Sequence, residues 1–462
     1  MSHISKHPEF RTSVSVRPVT GRSHRGSPAL PYEGGDFMTA PDQLTGMGIK
    51  YEDFLDREYD PHISDLVCTF SLEPASDMSW DDAASRVASE SSNGTWAELH
   101  VEGSVTDLSA TAFDIDEKRG QIQVAYPETL FEAGSMPQIL SCIAGNIMGM
   151  KAVERIRLLD CEWPEAIVSK YPGPQYGSAV RSEILDAHDR PALATVPKPK
   201  VGLSTDQHAQ VGYDAWMGGV DLLKDDENLT DQSFNPFEDR LAASLAQRDR
   251  AQEETGETKS YLLNVTAPGT EMLERVDLAA EHGCEFVMID IITTGWAALQ
   301  QVRERCGRHG LAIHAHRAMH AAFDRVPNHG VSMRVLAQIA RLCGVDHIHT
   351  GTADLGKLEN EDTVGINEWL ARDLYGLRDV LPMASGGLHP GLVPDLLDRV
   401  GTNVGIQAGG GIHGHPDGTR AGARALREAV ERSLADKSLD VSSAESPELA
   451  AAIEKWGTAT PR

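Results

Sequence analysis

Between residues 191 and 411, short apolar runs recur along the chain, and each breaks off into polar residues or glycine. In order they are ALATVPK, GVDLLKDD, YLLNVTA, EFVMIDI, LAIHAHRA, VDHIHTG, LPMASGG and NVGIQAGGG. Apolar runs this short, closed by turn residues, read as buried parallel strands. Between them apolar positions fall at helical spacing. Phe237, Leu241 and Leu245 stand four apart, and MLERVDLAAEHG and MRVLAQIARLCG repeat the pattern, the latter with a closing glycine. Eight strand–helix units over about 240 residues predict an α/β fold, a C-terminal (β/α)8 TIM barrel over residues 178–435. A doubly wound open sheet is the runner-up, but polar ends on every strand suit a ring of loops better than one crevice.

Ahead of the barrel the texture differs. From about residue 62 to 170, strand-like DLVCTFSLEP, WAELHVEG and GQIQVAY alternate with helical WDDAASRVASES and MPQILSCIAGN, which predicts a smaller α+β domain over residues 47–170. YPGPQYG (171–177) is a punctuated linker. Residues 1–46, rich in arginine, serine, proline and glycine without periodicity, read as a disordered extension or a mis-assigned start, with Met47 opening the first structured segment. Residues 436–462 read as a C-terminal tail.

Composition narrows the function classes. The chain has 462 residues and a formal net charge of −27, spread along its length, which argues against nucleic acid. Only 12 of its 42 basic residues are lysine, and an acid-rich, lysine-poor surface suits concentrated salt. No apolar run is long enough to span a bilayer, and no secretory signal opens the chain, so no membrane partner is expected. Cys68, Cys142, Cys161, Cys284, Cys306 and Cys343 form no C-x-x-C pair. A reducing, cytoplasmic setting fits them better than a disulfide framework or a zinc knuckle.

The strand ends carry the chemistry. GGVDLLKDDEN ends an apolar strand in Lys224, Asp225, Asp226 and Glu227. In a barrel the C-terminal strand end points into the catalytic face, so Lys224, Asp226 and Glu227 converge there, and clustered carboxylates suit magnesium. An ammonium repels that ion unless it loses its proton and takes up CO2 to become a carbamate; a plain Lys–Asp salt bridge is the alternative. His314 and His316 share a face by alternation, so a histidine metal pair is conceivable, although satisfied core histidines are commoner. Arg317 suits a phosphate or carboxylate. Lys357 sits on a long, lid-like loop after strand six. SGG (385–387) and AGGG (408–411) after strands seven and eight suit a barrel phosphate site, and together with Arg317 and Lys357 they suggest a substrate with phosphate at both ends.

With ESSNGTW, GNIMGMKA, KPKVGLS, GGVDLLKDDEN, HAHRAMH, NHG, DHIHTGT, GKLE, ASGGLHP, GGGIHGHP and SPELAAAIEKWG in that order, the chain resembles the large subunit of ribulose-1,5-bisphosphate carboxylase/oxygenase (RuBisCO). TVPKPK and the chain's brevity resemble the archaeal form III branch, which works without small subunits. The resemblance implies carboxylation and oxygenation of ribulose 1,5-bisphosphate by CO2 and O2, in nucleotide salvage. It implies a carbamylated Lys224 with Asp226 and Glu227 as ligands of one Mg2+, the carbamate removing the C3 proton. Lys198 would move protons at C2, with Lys200 beside it on the substrate. His316 would assist hydration and proton movement, and Lys357 would hold the incoming CO2. Arg317, His349 and Ser385 would bind one phosphate, Gly387, Gln407, Gly409 and Gly410 would line the region of the other, and Gly386 would also be a substrate-binding residue. Glu90, Thr95, Trp96 and Asn146 would complete the site of a neighbouring subunit, making a homodimer the working unit. Val196 stands where the other branches have threonine, which puts a substrate role for Thr195 in doubt. The alternatives are a RuBisCO-like enolase acting on a related sugar phosphate and a carbamyl-lysine metal-dependent hydrolase. The hydrolase needs an H-x-H on strand one, where this chain has KPK.

Overall fold

The computed structural model describes residues 48–49, 51–95, 99–100, 105–356, 362–439 and 446–458. Residues 1–47, Trp96 and Lys357 lie outside them. The first sheet is formed by β1 (Leu66–Pro74), β2 (Thr111–Asp116), β3 (Gln121–Tyr126) and β4 (Val153–Glu162), with β10 (Gly330–Val331) arriving from the second half of the chain. Its order is β10–β4–β1–β3–β2, antiparallel except for the β10–β4 pair. Helices α1 (Trp80–Glu90) and α2 (Met136–Ile143) bury Val87, Ile139 and Ile143 in the core beside it.

The eight predicted runs form eight parallel strands. These are β5 (Ala192–Thr195), β6 (Leu222–Lys224), β7 (Ser260–Asn264), β8 (Phe286–Asp290), β9 (Ala312–His316), β11 (His347–His349), β12 (Leu381–Ser385) and β13 (Gly405–Gln407). They close into a barrel in chain order, and Gly405 of β13 pairs with Ala192 of β5. Both faces are covered, which is why the strands read as apolar runs rather than alternating ones. Leu222, Leu262, Phe286, Met288, Leu381 and Met383 form one apolar cluster inside the barrel, while Leu223, Leu263, Val287, Ile313, Ile348 and Ile406 join the core under the helices. Each such side chain contributes roughly 1.5–3 kcal/mol by leaving water. Two residues further along each strand the inward face changes character. Leu222 gives way to Lys224, Leu262 to Asn264, Met288 to Asp290 and Met383 to Ser385. The apolar cluster plugs one end of the barrel and the polar set opens at the other.

The helices follow the sequence signals. α4 (Phe237–Thr255) buries Phe237, Leu241 and Leu245. α7 (Met333–Cys343) starts at Ser332, whose hydroxyl accepts from Val335 N, and stops at Gly344 with φ 101°. A side chain there would also collide with Gly173 O at 2.5 Å, where the linker crosses the helix end. The linker itself is pinned. Tyr176 N and Gly177 N donate to Asp346 Oδ1 at 2.6 and 2.8 Å, and Ile313 N donates to Oδ2 at 2.7 Å. A buried N–H left without an acceptor costs about 1–3 kcal/mol, so this carboxylate fixes where the chain enters the barrel. Near the C-terminus, α11 (Pro447–Trp456) buries Leu449, Ala452 and Ile453, and Trp456 stacks on His389 behind the loop after β12. Among the described residues, no helix is long and apolar enough to cross a membrane.

Candidate active site

Lys224 is the last residue of β6 and has no exposed surface. Its ammonium donates to the carbonyl of Asp225 at 2.7 Å and to Glu227 Oε2 at 3.3 Å. The next residue turns the other way, as strand alternation requires. Asp225 lies between the barrel wall and its helices, accepting from the Tyr261 hydroxyl at 2.5 Å, Arg240 Nε at 3.2 Å and Asn264 N at 3.0 Å, with His208 Nε2 at 3.2 Å. Burial raises its pKa, but Arg240 and His208 outweigh it and hold the carboxyl well below the usual range. Asp225 is therefore an anchor for the turn and not a metal ligand.

With that anchor set, Asp226 and Glu227 come back to the barrel mouth. Asp226 Oδ2 accepts from Lys198 Nζ at 2.9 Å, and Oδ1 accepts from Asn228 N and Nδ2 at 3.1 and 2.9 Å. Asn264 Nδ2 ties the turn further, donating to Leu229 O at 3.1 Å. Glu227 Oε2 also lies 3.4 Å from His316 Nε2, whose Nδ1 meets Asp290 Oδ1 at 3.1 Å. Burial pushes the Glu227 pKa up, but Lys224 and His316 beside it bring it down to about 2. Burial and then Lys224 lower the His316 pKa, against the Asp290 hydrogen bond.

The unmodified turn thus offers two carboxylates with a lysine amine at the third corner. Among the described residues no group of three histidine, cysteine or acidic side chains is placed to hold a metal. CO2 on the Lys224 amine would turn that corner into an anionic oxygen and give the all-oxygen set a hard divalent cation takes.

Other expected residues gather around the same mouth. Arg317 is buried just after β9. The Ser385 hydroxyl lies 2.7 Å from His349 Nδ1. Gly386 and Gly387 follow at φ 118° and 92°, a backbone only glycine adopts readily. Gln407, at the inner end of β13, has a buried amide oxygen with no hydrogen-bond partner among the described residues. A side chain at Gly409 would touch Lys198 Cε at 3.1 Å, so strands one and eight meet there, and Gly410 faces open space. Lys200 is exposed. Thr195 is not free for substrate, because its hydroxyl donates to Ala408 O at 2.7 Å and sits 3.0 Å from His413 Nε2.

The rest of the expected set is placed differently. Asn146 Nδ2 donates to Glu90 Oε1 at 3.1 Å, and among the described residues neither is hydrogen-bonded or ion-paired to the barrel mouth. Thr95 is half-buried in the first domain. His314 does not pair with His316 around a metal, because its nitrogens meet His347 and His349. Sequence reasoning passed over Asp225, Asn264, Asp290 and His347. Period-two alternation from Lys224, and the polar residue closing EFVMID, were the signals available for two of them.

Comparison with known proteins places the chain among relatives of one family. The family model described as ribulose bisphosphate carboxylase large chain, catalytic domain, matches residues 177–456, and that of its N-terminal domain matches residues 53–167. Ribulose bisphosphate carboxylase of Pyrococcus abyssi is 48% identical over 417 residues, covering 89% of this chain and 98% of its own length. The Methanosarcina barkeri protein is 44% identical over 423 residues, covering 87% and 99%. Among solved structures, octameric RuBisCO from Pyrococcus horikoshii aligns with a TM-score of 0.86 at 45% identity, covering 89% of this chain and 98% of that one. The dimeric archaeal RuBisCO of Hyperthermus butylicus aligns at 0.82 and 45%, covering 88% and 99%.

The depressed Glu227 pKa has a pH consequence. A carboxylate held low in the folded state stabilises it above the unfolded value near 4.5, and that contribution is lost as pH falls from there toward about 2. In CO2-free, metal-free protein, Glu227→Gln should flatten the decline of the denaturant midpoint across that window. An unchanged decline would show that the pairing with Lys224 and His316 contributes nothing.

Proposed function

The chain belongs to the ribulose bisphosphate carboxylase large-chain family, and from that premise we propose how its barrel mouth carboxylates ribulose 1,5-bisphosphate. Lys224, Asp226 and Glu227 would hold Mg2+ once the Lys224 amine has taken up CO2 as a carbamate. The carbamate forms as the neutral amine bonds carbon and releases a proton. When bound, the ion supplies Lewis-acid polarisation of substrate oxygens. The observation that carries this reading is an ammonium without exposed surface, 3.3 Å from a carboxylate and flanked by a second one, in a turn whose remaining acid is tied up elsewhere.

The other side chains take roles suited to their surroundings. Lys198, bonded to Asp226 and packed beside Gly409, is placed to move protons at the substrate carbons next to the turn. His316, oriented by Asp290, can assist hydration and move a proton at the substrate. Arg317 and Ser385, with His349 behind the serine, hold one phosphate, while Gly387, Gln407, Gly409 and Gly410 face the other, with Lys200 at the rim. O2 in place of CO2 at the addition step gives oxygenation. Lys357 would hold the incoming CO2.

The working unit is a homodimer in which Glu90, Thr95, Trp96 and Asn146 of one chain cap the barrel of the other. Two observations support this. Glu90 and Asn146 bond each other and, among the described residues, not their own barrel mouth. In addition, the loops after strands one, two and five expose Val201, Phe234, Met319 and Phe323, apolar side chains suited to a protein cover.

The reading is tested by incubating the protein with ribulose bisphosphate, Mg2+ and labelled bicarbonate. Label should enter acid-stable product only after preincubation with CO2 and Mg2+, and Lys224→Ala should fix none. C3 proton exchange without fixation would point to the enolase instead. Shared sites are tested by mixing inactive Glu90→Gln with inactive Lys224→Ala under conditions that exchange subunits. Hybrid dimers should regain one intact site each, and no recovery despite proven exchange would confine each site to one chain.

A further inference from the structure

Four histidines occupy inward positions on neighbouring strands, His314 and His316 on β9 and His347 and His349 on β11. Three of them are joined in series. His347 Nδ1 lies 3.4 Å from His314 Nδ1, His314 Nε2 lies 3.0 Å from His349 Nε2, and His349 Nδ1 lies 2.7 Å from Ser385 Oγ. His314 and His347 have no exposed surface, and His349 has almost none. At the far end His347 packs against Phe286, with ring centroids 5.2 Å apart, beside the apolar plug. Its Nε2 is buried and has no hydrogen-bond partner among the described residues.

That orphan nitrogen gives the series a direction. Burial keeps the three rings neutral, pulling His347 down to about 3 and the other two well below the ordinary histidine value. Each ring then carries one N–H and one lone pair. If Ser385 donated to His349, every ring below would pass its proton downward and His347 would hold a buried N–H with no acceptor. If the protons point upward, the orphan is only a lone pair. Orphaned buried N–H groups are rarer in folded proteins than under-satisfied acceptors.

We propose that His347, His314 and His349 form a one-way hydrogen-bond relay that commits the Ser385 hydroxyl to donate its proton into the barrel mouth, with His347 and His314 acting as positioning residues. In this arrangement His349 Nδ1–H gives to Ser385 Oγ, His314 Nε2–H gives to His349 and His347 Nδ1–H gives to His314. Ser385 then discriminates in favour of groups that only accept, such as a phosphate or a deprotonated oxygen. The functional consequence rests on the reading of Ser385 as a substrate contact.

Neutron diffraction from deuterated crystals of the full chain without substrate reads the relay directly. Deuterons are expected on His349 Nδ1, His314 Nε2 and His347 Nδ1. Deuterons on His349 Nε2 and His314 Nδ1, or sites split between both patterns, would overturn it. In kinetics, His314→Leu should raise KM for ribulose bisphosphate about tenfold with kcat changed less than about threefold, and His314→Gln, which keeps an N–H donor, should recover most of the loss. On a Ser385→Ala background His314→Leu should add nothing, whereas an equal loss on both backgrounds would mark a merely structural role and overturn the proposal. The two layers fail separately. The expected deuterons with an unchanged KM in Ser385→Ala would overturn the substrate reading, and reversed deuterons with a raised KM would overturn the relay alone.

Discussion

A lysine ammonium with no exposed surface, at the end of an apolar strand, is the constraint around which this barrel mouth is built. An isolated charge there would cost several kcal/mol of lost hydration. Lys224 avoids that cost through the Asp225 carbonyl and Glu227, and those acceptors are where they are because the turn is locked. The lock is Asp225, facing away from Lys224 into a shell of Tyr261, Arg240 and His208. Position 225 thus fixes the backbone while positions 224, 226 and 227 face the barrel mouth.

The same division runs round the barrel. Inward positions are apolar at one end and polar at the other, so the plug that stabilises the fold also forms the apolar floor of the candidate site. Lys198, Asp226, Glu227, His316 and Asp290 form one chain of contacts across the mouth from strand one to strands four and five. A second chain, from His347 to Ser385, runs from the apolar floor to strand seven. The Lys224 amine and the glycine loops stand at different sectors of one rim, an arrangement suited to a substrate spanning the mouth.

Much of this was legible in the sequence. The eight barrel strands could be read because burial on both faces makes them apolar runs, and the strand-end residues because polar side chains closing such runs have few structural reasons to be there. In the first domain, TAFDID and VERIRLLDCE were missed as strands, since partly exposed antiparallel strands mix polar and apolar positions. The two-residue β10 carries no pattern at all. YPGPQYG reads as a loose linker, yet the acceptor that pins it, Asp346, lies about 170 residues away and only the fold brings them together. Asp225 was hidden among three adjacent acids that composition treats alike. The histidine series needed the adjacency of β9 and β11, although HAH and HIH each announced an inward pair.

The central claim is that Lys224 is a CO2 acceptor whose carbamate completes a metal site. Carbon-13 magnetic resonance of protein equilibrated with labelled CO2 and Mg2+ tests it most directly. A carbamate resonance should appear in the native sequence, sharpen in its dependence on Mg2+, and be absent from Lys224→Ala. A resonance that persists in Lys224→Ala, or its absence from fully active enzyme, would contradict the account.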